Sequence, residues 1–341
     1  MADVLSTREV EILGSIIKTF IERAIPVGSR YLSKFHHQNM SPATIRNVMM
    51  DLEDKGFISQ PHTSAGRVPT EKAYRFYVDD IMELEELSPD DIRRIREDMQ
   101  SESNDVDKIL QKSCQGLSKI SNLIGVVLSP RLFSGILRKI DLVSLSENMI
   151  LIILSVEAGL VKTITMEVQA SISRYRLEQT AQILNERLEG LTIQQIHDSI
   201  GKRLQDVSVG DDELIQQFIN SADKLFVFEN EHIHLGGTKN IIGQPEFSDK
   251  EQLQRILELI DNQKVLIHIM NEYVVDEKIT ILIGNETQKE IMKNCSLITA
   301  RYKIGGISGT LGVIGPIRMH YPKMITLVDY IAKEISNLYT K

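Results

Sequence analysis

Four polar side chains in one short segment have the chemistry needed to recognise DNA. Arg46 can present its guanidinium fork to a guanine, and Asn47 can pair its carboxamide with an adenine. Ser41 and Thr44, a few residues earlier, carry hydroxyl groups that can reach phosphates or bases. If the segment is helical, all four lie in its N-terminal half, which is the part of a reading helix that meets base edges.

Other residues support catalytic, nucleotide or metal chemistry only weakly. His232 and His234 lie two apart beside Glu231 and share one face of a strand, but two imidazoles without a third ligand are weak support for a metal. The run from Gly305 to Gly315 lacks the Gly-Lys-Ser/Thr ending of a phosphate-binding loop, so a tightly packed strand and turn explains it better. No hydrolase or zinc-protease motif occurs at a usable spacing. We therefore predict no enzyme activity, no cofactor and no bound metal ion.

Two helical segments precede this polar stretch. Ser6 and Glu9 have the spacing of a capping box, and apolar residues then recur with helical periodicity as far as Ile21. A turn containing proline and glycine ends this first helix. Ser29 is expected to cap a second, short helix that runs to about Phe35, with the Phe35 ring directed inward.

The third helical signal is the clearest in the chain. Ser41 is a favoured N-cap, and Pro42 suits the first helical position, where a missing N–H costs little. Gly56 is typical of a helix C-terminus. Four apolar residues recur at i, i+3, i+4 and i+7 and are expected to face a core: Ile45, Val48, Met49 and Leu52.

A strand, a small-residue turn and a second extended segment follow over residues 57–69. Thr63, Ser64 and Arg67 in this turn are candidate DNA contacts, with Arg67 placed to follow the backbone or enter the minor groove. Arg30 and Lys72 complete the set of candidates. Three helices followed by strand, turn and strand predict a winged helix-turn-helix. Similar units also serve as protein-binding modules, so DNA binding is the favoured of two interpretations.

The charge of the chain is compatible with DNA binding only because of how it is distributed. The net charge of the 341 residues is −8. Residues 28–75, however, contain seven basic and four acidic side chains, a local charge of +3. The two cysteines, Cys114 and Cys295, form no Cys-x-x-Cys pair, as expected in a reducing cytoplasm. No signal peptide or membrane span is apparent, so we expect a cytoplasmic protein without membrane association.

The length and the alternation of helix and strand patterns predict an α+β multidomain protein. A mixed α/β, sensor-like domain is expected to follow the DNA-binding domain, interrupted by an insertion of different texture. In that insertion we expect a strand from Leu225 and a helix capped by Ser248. The predicted units are a DNA-binding domain, a linker helix, a two-segment sensor-like domain and the insertion, at residues 1–83, 84–104, 105–208 with 262–341, and 209–261.

Several of these motifs resemble the family of heat-inducible transcription repressors called HrcA. The resemblance is carried at both ends of the chain by Leu5-Ser-Thr-Arg-Glu-Val-Glu-Ile-Leu, Pro26-Val-Gly-Ser-Arg, Ser41-Pro-Ala-Thr-Ile-Arg-Asn-Val-Met, Leu52-Glu-Asp-Lys-Gly-Phe, Thr63-Ser-Ala-Gly-Arg-Val-Pro-Thr, Gly305-Gly-Ile-Ser-Gly-Thr-Leu-Gly-Val-Ile-Gly-Pro-Ile-Arg-Met and Tyr321-Pro-Lys-Met. The blocks have the same order as in the family, whereas residues 100–300 match only in length and texture.

The resemblance implies a fold and a function. The sensor-like domain would be GAF-like, and the insertion at 209–261 would make a homodimer. The dimer would bind an inverted-repeat operator and repress the class I heat-shock operons for chaperones and the chaperonin. The chaperonin would be a partner that keeps the repressor folded, so that its titration by misfolded protein on heat stress opens the operons. A transcriptional regulator gated by a small molecule bound to the sensor-like domain remains the alternative.

Overall fold

The computed structural model describes residues 5–62, 66–100, 105–130, 132–157, 160–168, 171–205, 212–226, 232–273 and 279–339.

Three helices form the N-terminal unit: α1 (Thr7–Arg23), α2 (Ser29–Phe35) and α3 (Pro42–Asp54). The capping box at the start of α1 is present, with the Ser6 hydroxyl accepting from the Glu9 N–H and the Glu9 carboxylate accepting from the Ser6 N–H. The predicted cap of α2 is wrong, because the helix begins at Ser29 and Gly28 is its N-cap. The inward placement of Phe35 is also wrong. Its ring is exposed and packs on Tyr31, with 4.6 Å between the ring centroids.

A short antiparallel hairpin follows α3. Its strands are β1 (Ile58–Ser59) and β2 (Val68–Pro69), and an isolated bridge between Val27 and Arg67 ties it to the segment before α2. A Cβ atom at Gly66 would lie 2.5 Å from the carbonyl carbon and oxygen of Val27, so only glycine permits this approach.

The hairpin is joined to the rest of the chain by helices. Thr70 caps α4 (Glu71–Phe76), which continues as a π-helical turn (Tyr77–Ile81). Then come α5 (Pro89–Gln100), whose first turn is capped by the Ser88 hydroxyl, and α6 (Val106–Ser121).

A five-stranded antiparallel sheet forms the centre of the body. Its strands are, in chain order, β3 (Ile124–Leu128), β7 (Ile233–Gly236), β8 (Thr280–Ile283), β9 (Cys295–Ile304) and β10 (Ile307–Pro316). Their order across the sheet is β7-β3-β10-β9-β8. One face packs against α6 and α14 (Tyr321–Leu338). The opposite face packs against α11 (Thr238–Ile242), α12 (Lys250–Asp261) and α13 (Gln263–Glu272).

Between β3 and β7 the chain forms a second unit with a hydrophobic core of its own. A three-stranded antiparallel sheet has the order β4-β5-β6, and four helices accompany it. These elements are β4 (Leu137–Ser146), β5 (Met149–Val156), β6 (Val161–Glu167), α7 (Arg174–Leu188), α8 (Ile193–Arg203), α9 (Asp212–Asn220) and α10 (Ala222–Phe226).

This arrangement corrects the predicted domain borders. The separately packed segment runs from Leu137 to Phe226 rather than over 209–261. The sequence prediction assigned β7 and α12 to the insertion. β7 instead pairs with β3 and belongs to the central sheet. α12 packs on the face of that sheet opposite α6 and α14. The first two residues of the strand predicted from Leu225 are helical instead and end α10, where Phe226 packs on Phe218. The rest of that predicted strand, residues 227–229, lies outside the described residues. α12 is capped by Asp249 rather than Ser248.

The N-terminal unit and the body share one hydrophobic core. Tyr74 of α4 and Tyr321 of α14 are both buried, and their ring centroids lie 6.0 Å apart. The overall architecture is a mixture of helices and several antiparallel sheets, as the α+β class predicts. Within the described ranges, no helix is both long enough and apolar enough to cross a membrane.

Candidate nucleic-acid interface

One face of α3 is fixed in the core and the other faces solvent. All four apolar residues that the periodicity placed inward are buried, and Ile45 and Leu52 have no exposed surface. Burial of one such side chain contributes about 1.5–3 kcal/mol, so the helix cannot rotate without a large loss. The exposed face contains Arg46, Asn47 and Met50.

The N-terminus of α3 is capped by the residues predicted to contact DNA. The Ser41 Oγ accepts a hydrogen bond from the Thr44 N–H at 3.1 Å, and the two hydroxyls lie 2.9 Å apart. Ser41 is exposed and Thr44 half-buried. Both side chains therefore have a structural role, and Ser41 also lies at the surface beside the exposed face.

Arg46 and Asn47 lie in the first half of α3, and both are exposed. Within the described part of the chain, neither side chain has a hydrogen bond or ion pair. A guanidinium and a carboxamide that project freely from a rigid helix are available to bond a ligand. These are the two residues for which the sequence assigns base contacts.

Basic residues on α2 extend this surface. Arg30 is exposed and unpaired among the described residues, as a phosphate contact requires. Lys34, one turn later, is also exposed, with its ammonium 5.2 Å from the centre of the Phe35 ring. The sequence analysis included Lys34 only in the local charge of residues 28–75. Its i+4 spacing from Arg30 was the signal that both share one helix face.

Arg67 is bonded within the protein. Its Nε donates to the Glu53 carboxylate at 2.9 Å, a second nitrogen lies 2.7 Å from the same oxygen, and the side chain is 19% exposed. The guanidinium therefore joins the hairpin to the end of α3 instead of projecting from the turn. Thr63 and Ser64, the other two candidates in this turn, lie outside the described residues.

Lys72 and Arg75, both counted in the basic segment, also have internal partners. The Lys72 ammonium donates to the Lys55 carbonyl at the C-terminus of α3 at 2.8 Å and lies 4.5 Å from the Phe57 ring centre. Arg75 forms an ion pair with Glu286. Both residues contribute to the positive charge counted from the sequence. Their partners lie too far away along the chain to be predicted from a local sequence pattern.

A half-buried ion pair stabilises the N-terminal unit. The Lys55 ammonium lies 2.6 Å from a carboxylate oxygen of Glu9, which is buried. The hydrogen bond from Lys55 lowers the pKa of Glu9, and the bonds from Ser6 act in the same direction, against desolvation. This links the start of α1 to the end of α3.

The glycine-rich run lies in β10, where close packing accounts for it. A Cβ atom at Gly309 would lie 2.3 Å from the Tyr302 ring, and one at Gly312 would lie 2.2 Å from the Ile298 carbonyl oxygen. The prediction of a tightly packed strand is confirmed. Both cysteines are buried, and desolvation raises the pKa of each thiol to about 12, so neither is a nucleophile at neutral pH.

Comparison with known proteins identifies relatives over the full length. The family model described as the HrcA protein C-terminal domain matches residues 107–325. The heat-inducible transcription repressor HrcA of Chlorobium phaeobacteroides (strain BS1) is 38% identical over 345 residues, covering 98% of each chain. The protein of the same name from Natranaerobius thermophilus is 36% identical over 333 residues, covering 97% of this chain and 96% of the relative.

A solved structure has a similar fold. A crystal structure of a hypothetical protein matches with a TM-score of 0.65 and 23% sequence identity, covering 99% of both chains. On the strength of the sequence relatives and the family match, this chain belongs to the HrcA family.

Proposed function

We propose that this chain is a heat-inducible transcription repressor and that residues 1–83 are a winged helix-turn-helix domain that binds operator DNA through α3. The observation that carries the proposal is the pair of unpartnered, exposed side chains Arg46 and Asn47 on a helix whose opposite face is buried. The names of the relatives favour a regulator over an enzyme.

In this proposal α3 enters the major groove with its N-terminal end towards the bases. Arg46 bonds a guanine and Asn47 an adenine, while Arg30, Lys34 and Ser41 contact phosphates. Arg67 and Lys72 act indirectly, since their internal bonds hold the hairpin and the end of α3 in place. A local charge as small as +3 makes specific contacts more important than general attraction to phosphates.

The repressor would act as a homodimer on an inverted repeat, because two-fold protein symmetry requires a palindromic site. The outer face of the β4-β5-β6 sheet supports this proposal. Val143 and Leu145, two residues apart on β4, are exposed, and so is Val161 at the start of β6. Exposed apolar side chains of a sheet can contribute to an interaction surface. We assign the five-stranded sheet and its helices to the GAF-like domain, and the Leu137–Phe226 unit to dimerisation.

Release on heating would follow from the shared core. Because α1 and α4 are packed into the same core as α14, loss of body packing also removes the support of α3. The chaperonin is the proposed partner that restores this packing, and its titration by misfolded protein would leave the heat-shock operons open. This part of the proposal rests on the family.

Binding of labelled duplexes at several salt concentrations tests the reading helix. Arg46→Ala should lower the preference for the inverted-repeat operator over a scrambled duplex by about 1–3 kcal/mol, or roughly tenfold to a hundredfold. Arg94→Ala, which removes an exposed arginine of α5, is the matched control and should leave the preference unchanged. Unchanged discrimination in Arg46→Ala would exclude α3 as the reading helix.

A cavity favours one second candidate, a regulator gated by a small molecule. Its volume is about 330 Å³, and it lies between the central sheet and the Leu137–Phe226 unit, lined by Phe133, Gln194, Asn271, Arg301 and Thr310 among others. The volume lies within the range of ligand sites. The lining is more polar than is usual for such sites, which suits a polar or charged ligand. A thermal-shift screen of anionic metabolites tests it, because a ligand that binds only the folded protein raises the melting temperature, and the rise grows with ligand concentration.

A further inference from the structure

Three potential metal ligands from two distant parts of the chain lie together at the edge of the central sheet. His232 directly precedes β7, His234 is in it, and Asp107 belongs to the first turn of α6. Their nearest ligand atoms all lie within 4.8 Å of one another. The Nε2 of His234 is 3.3 Å from an Asp107 carboxylate oxygen, and the Nδ1 of His232 is 3.9 Å from the same oxygen.

The His234 side chain is the second, independent sign of a ligand. It is only 7% exposed, and its buried Nε2 has no hydrogen-bond partner among the described residues. A buried nitrogen left without a hydrogen-bond partner destabilises the fold, so a group that bonds to it is stabilising.

An ion pair alone explains this arrangement poorly. Asp107 and His232 are 66% and 67% exposed, and a salt bridge between exposed groups contributes little. The Nε2 of His234 lies close to the Asp107 carboxylate but is not aligned to form a hydrogen bond with it. The His232 and His234 rings meet edge to face with centroids 4.7 Å apart, so both imidazoles border the same space.

We propose that Asp107, His232 and His234 form a binding site for one divalent transition-metal ion, with Zn²⁺ as the best match. Zinc bonds imidazole nitrogen and carboxylate oxygen at about 2.0–2.2 Å, which places neighbouring tetrahedral ligands roughly 3.3 Å apart. Two nitrogens and one oxygen select zinc, nickel or cobalt over magnesium and calcium. The exposed side of the cluster leaves the fourth position to water.

The sequence contains only half of this site. The spacing of His232 and His234 indicates a shared strand face, but Asp107 lies more than a hundred residues earlier and only the fold brings it close. Glu231, which the sequence places beside the histidines, lies outside the described residues. A bound ion would join the start of α6 to the edge strand and close a long loop, so metal binding and stability are coupled.

Calorimetric titration of the full-length chain tests the proposal, after chelator treatment and removal of the chelator. Zn²⁺ should bind at one ion per chain and raise the melting temperature. Asp107→Asn and His232→Gln should each weaken Zn²⁺ binding at least about tenfold, because loss of a residue that merely contacts a metal ligand already weakens metal binding by that factor. Both residues are exposed, so the variants should fold, and circular dichroism verifies this.

His268→Gln is the matched control. Its Nε2 lies 3.1 Å from Glu272, so it removes an exposed histidine–carboxylate pair of the same chemistry but with only two ligands. This variant should bind Zn²⁺ like the unaltered chain. The proposal is overturned if the unaltered chain binds no zinc at micromolar concentrations, if neither site variant weakens binding, or if His268→Gln weakens it equally.

Discussion

The guanidinium of Arg67 lies 2.7 Å from the carboxylate of Glu53 and thereby joins the hairpin to the last turn of α3. Arginine in a glycine-flanked turn is the residue that sequence reasoning assigns to the DNA backbone. The ion pair with Glu53 instead holds the hairpin at a fixed angle to α3, the helix that contains Arg46. The position of the hairpin therefore depends on a contact within the protein.

The first prediction concerns this contact. Arg67→Ala should lower the free energy of unfolding by about 1 kcal/mol, because a half-buried, charge-assisted hydrogen bond is lost. The slope of log K against log salt in DNA binding should stay the same, since no phosphate contact is removed. Urea unfolding and salt-dependent binding measure the two effects. A slope reduced by about 0.9 would instead identify Arg67 as a phosphate contact.

The second prediction uses the close approach at Gly66. Gly66→Ala places a methyl group 2.5 Å from backbone atoms of Val27, and backbone cannot move aside cheaply. We expect the chain to lose about 1–3 kcal/mol of stability, as for other overpacked sites. Gly28→Ala is the control, since nothing lies within 4 Å of its added Cβ. Equal stability of both variants would contradict the packing of the hairpin on Val27.

The third prediction is a dependence on pH. Because the bond from Lys55 lowers the pKa of Glu9 in the folded state, the pair stabilises the protein above the carboxyl's ordinary pKa. This contribution disappears as the pH falls through the lowered value. Glu9→Gln should therefore lose stability at pH 7, and this loss should become smaller as the pH is lowered from 7 towards 3. Urea midpoints across this range measure the difference.

Glu11→Gln serves as the control for the pH series, because Glu11 is exposed on the same helix. It should follow the unaltered chain at every pH. A Glu9→Gln variant whose loss of stability was the same at pH 3 and pH 7 would show that the capping geometry matters and the ionisation does not.

The fourth prediction concerns the junction between the N-terminal unit and the body. The Arg75 Nε donates to Glu286 at 2.8 Å, and another nitrogen donates to the Ile281 carbonyl at 2.7 Å. Arg75→Ala should raise amide hydrogen exchange severalfold in α4 and at residues 284–287, because opening of this contact becomes easier. Arg93→Ala removes a more exposed ion pair, with Asp90, and should not affect these amides.

Local spacing and capping alone determined α1 and α3 of the N-terminal unit. α1 and α3 begin where Ser6 and Ser41 predict, and the apolar residues of α3 are buried as the periodicity requires. Helix caps and amphipathic faces depend on residues within about one turn of each other, so the sequence contains the whole signal. The same helical periodicity places Arg46 on the exposed face of α3. Sequence reasoning about Phe35 was wrong because a neighbouring tyrosine stabilises it at the surface.

Only the tertiary structure decided which basic side chains of the N-terminal unit bond within the protein and where the body divides. Arg67 pairs across the hairpin, and Arg75 pairs with a carboxylate 211 residues later. β7 joins β3 across the entire Leu137–Phe226 unit, and this pairing brings His234 to Asp107. Such contacts depend on chain reversal and on the packing of separate elements, for which residues near one another in the sequence contain no signal. The sequence alone thus predicts α3 and its exposed face, while the contacts that hold α3 in place and the candidate metal site are properties of the fold.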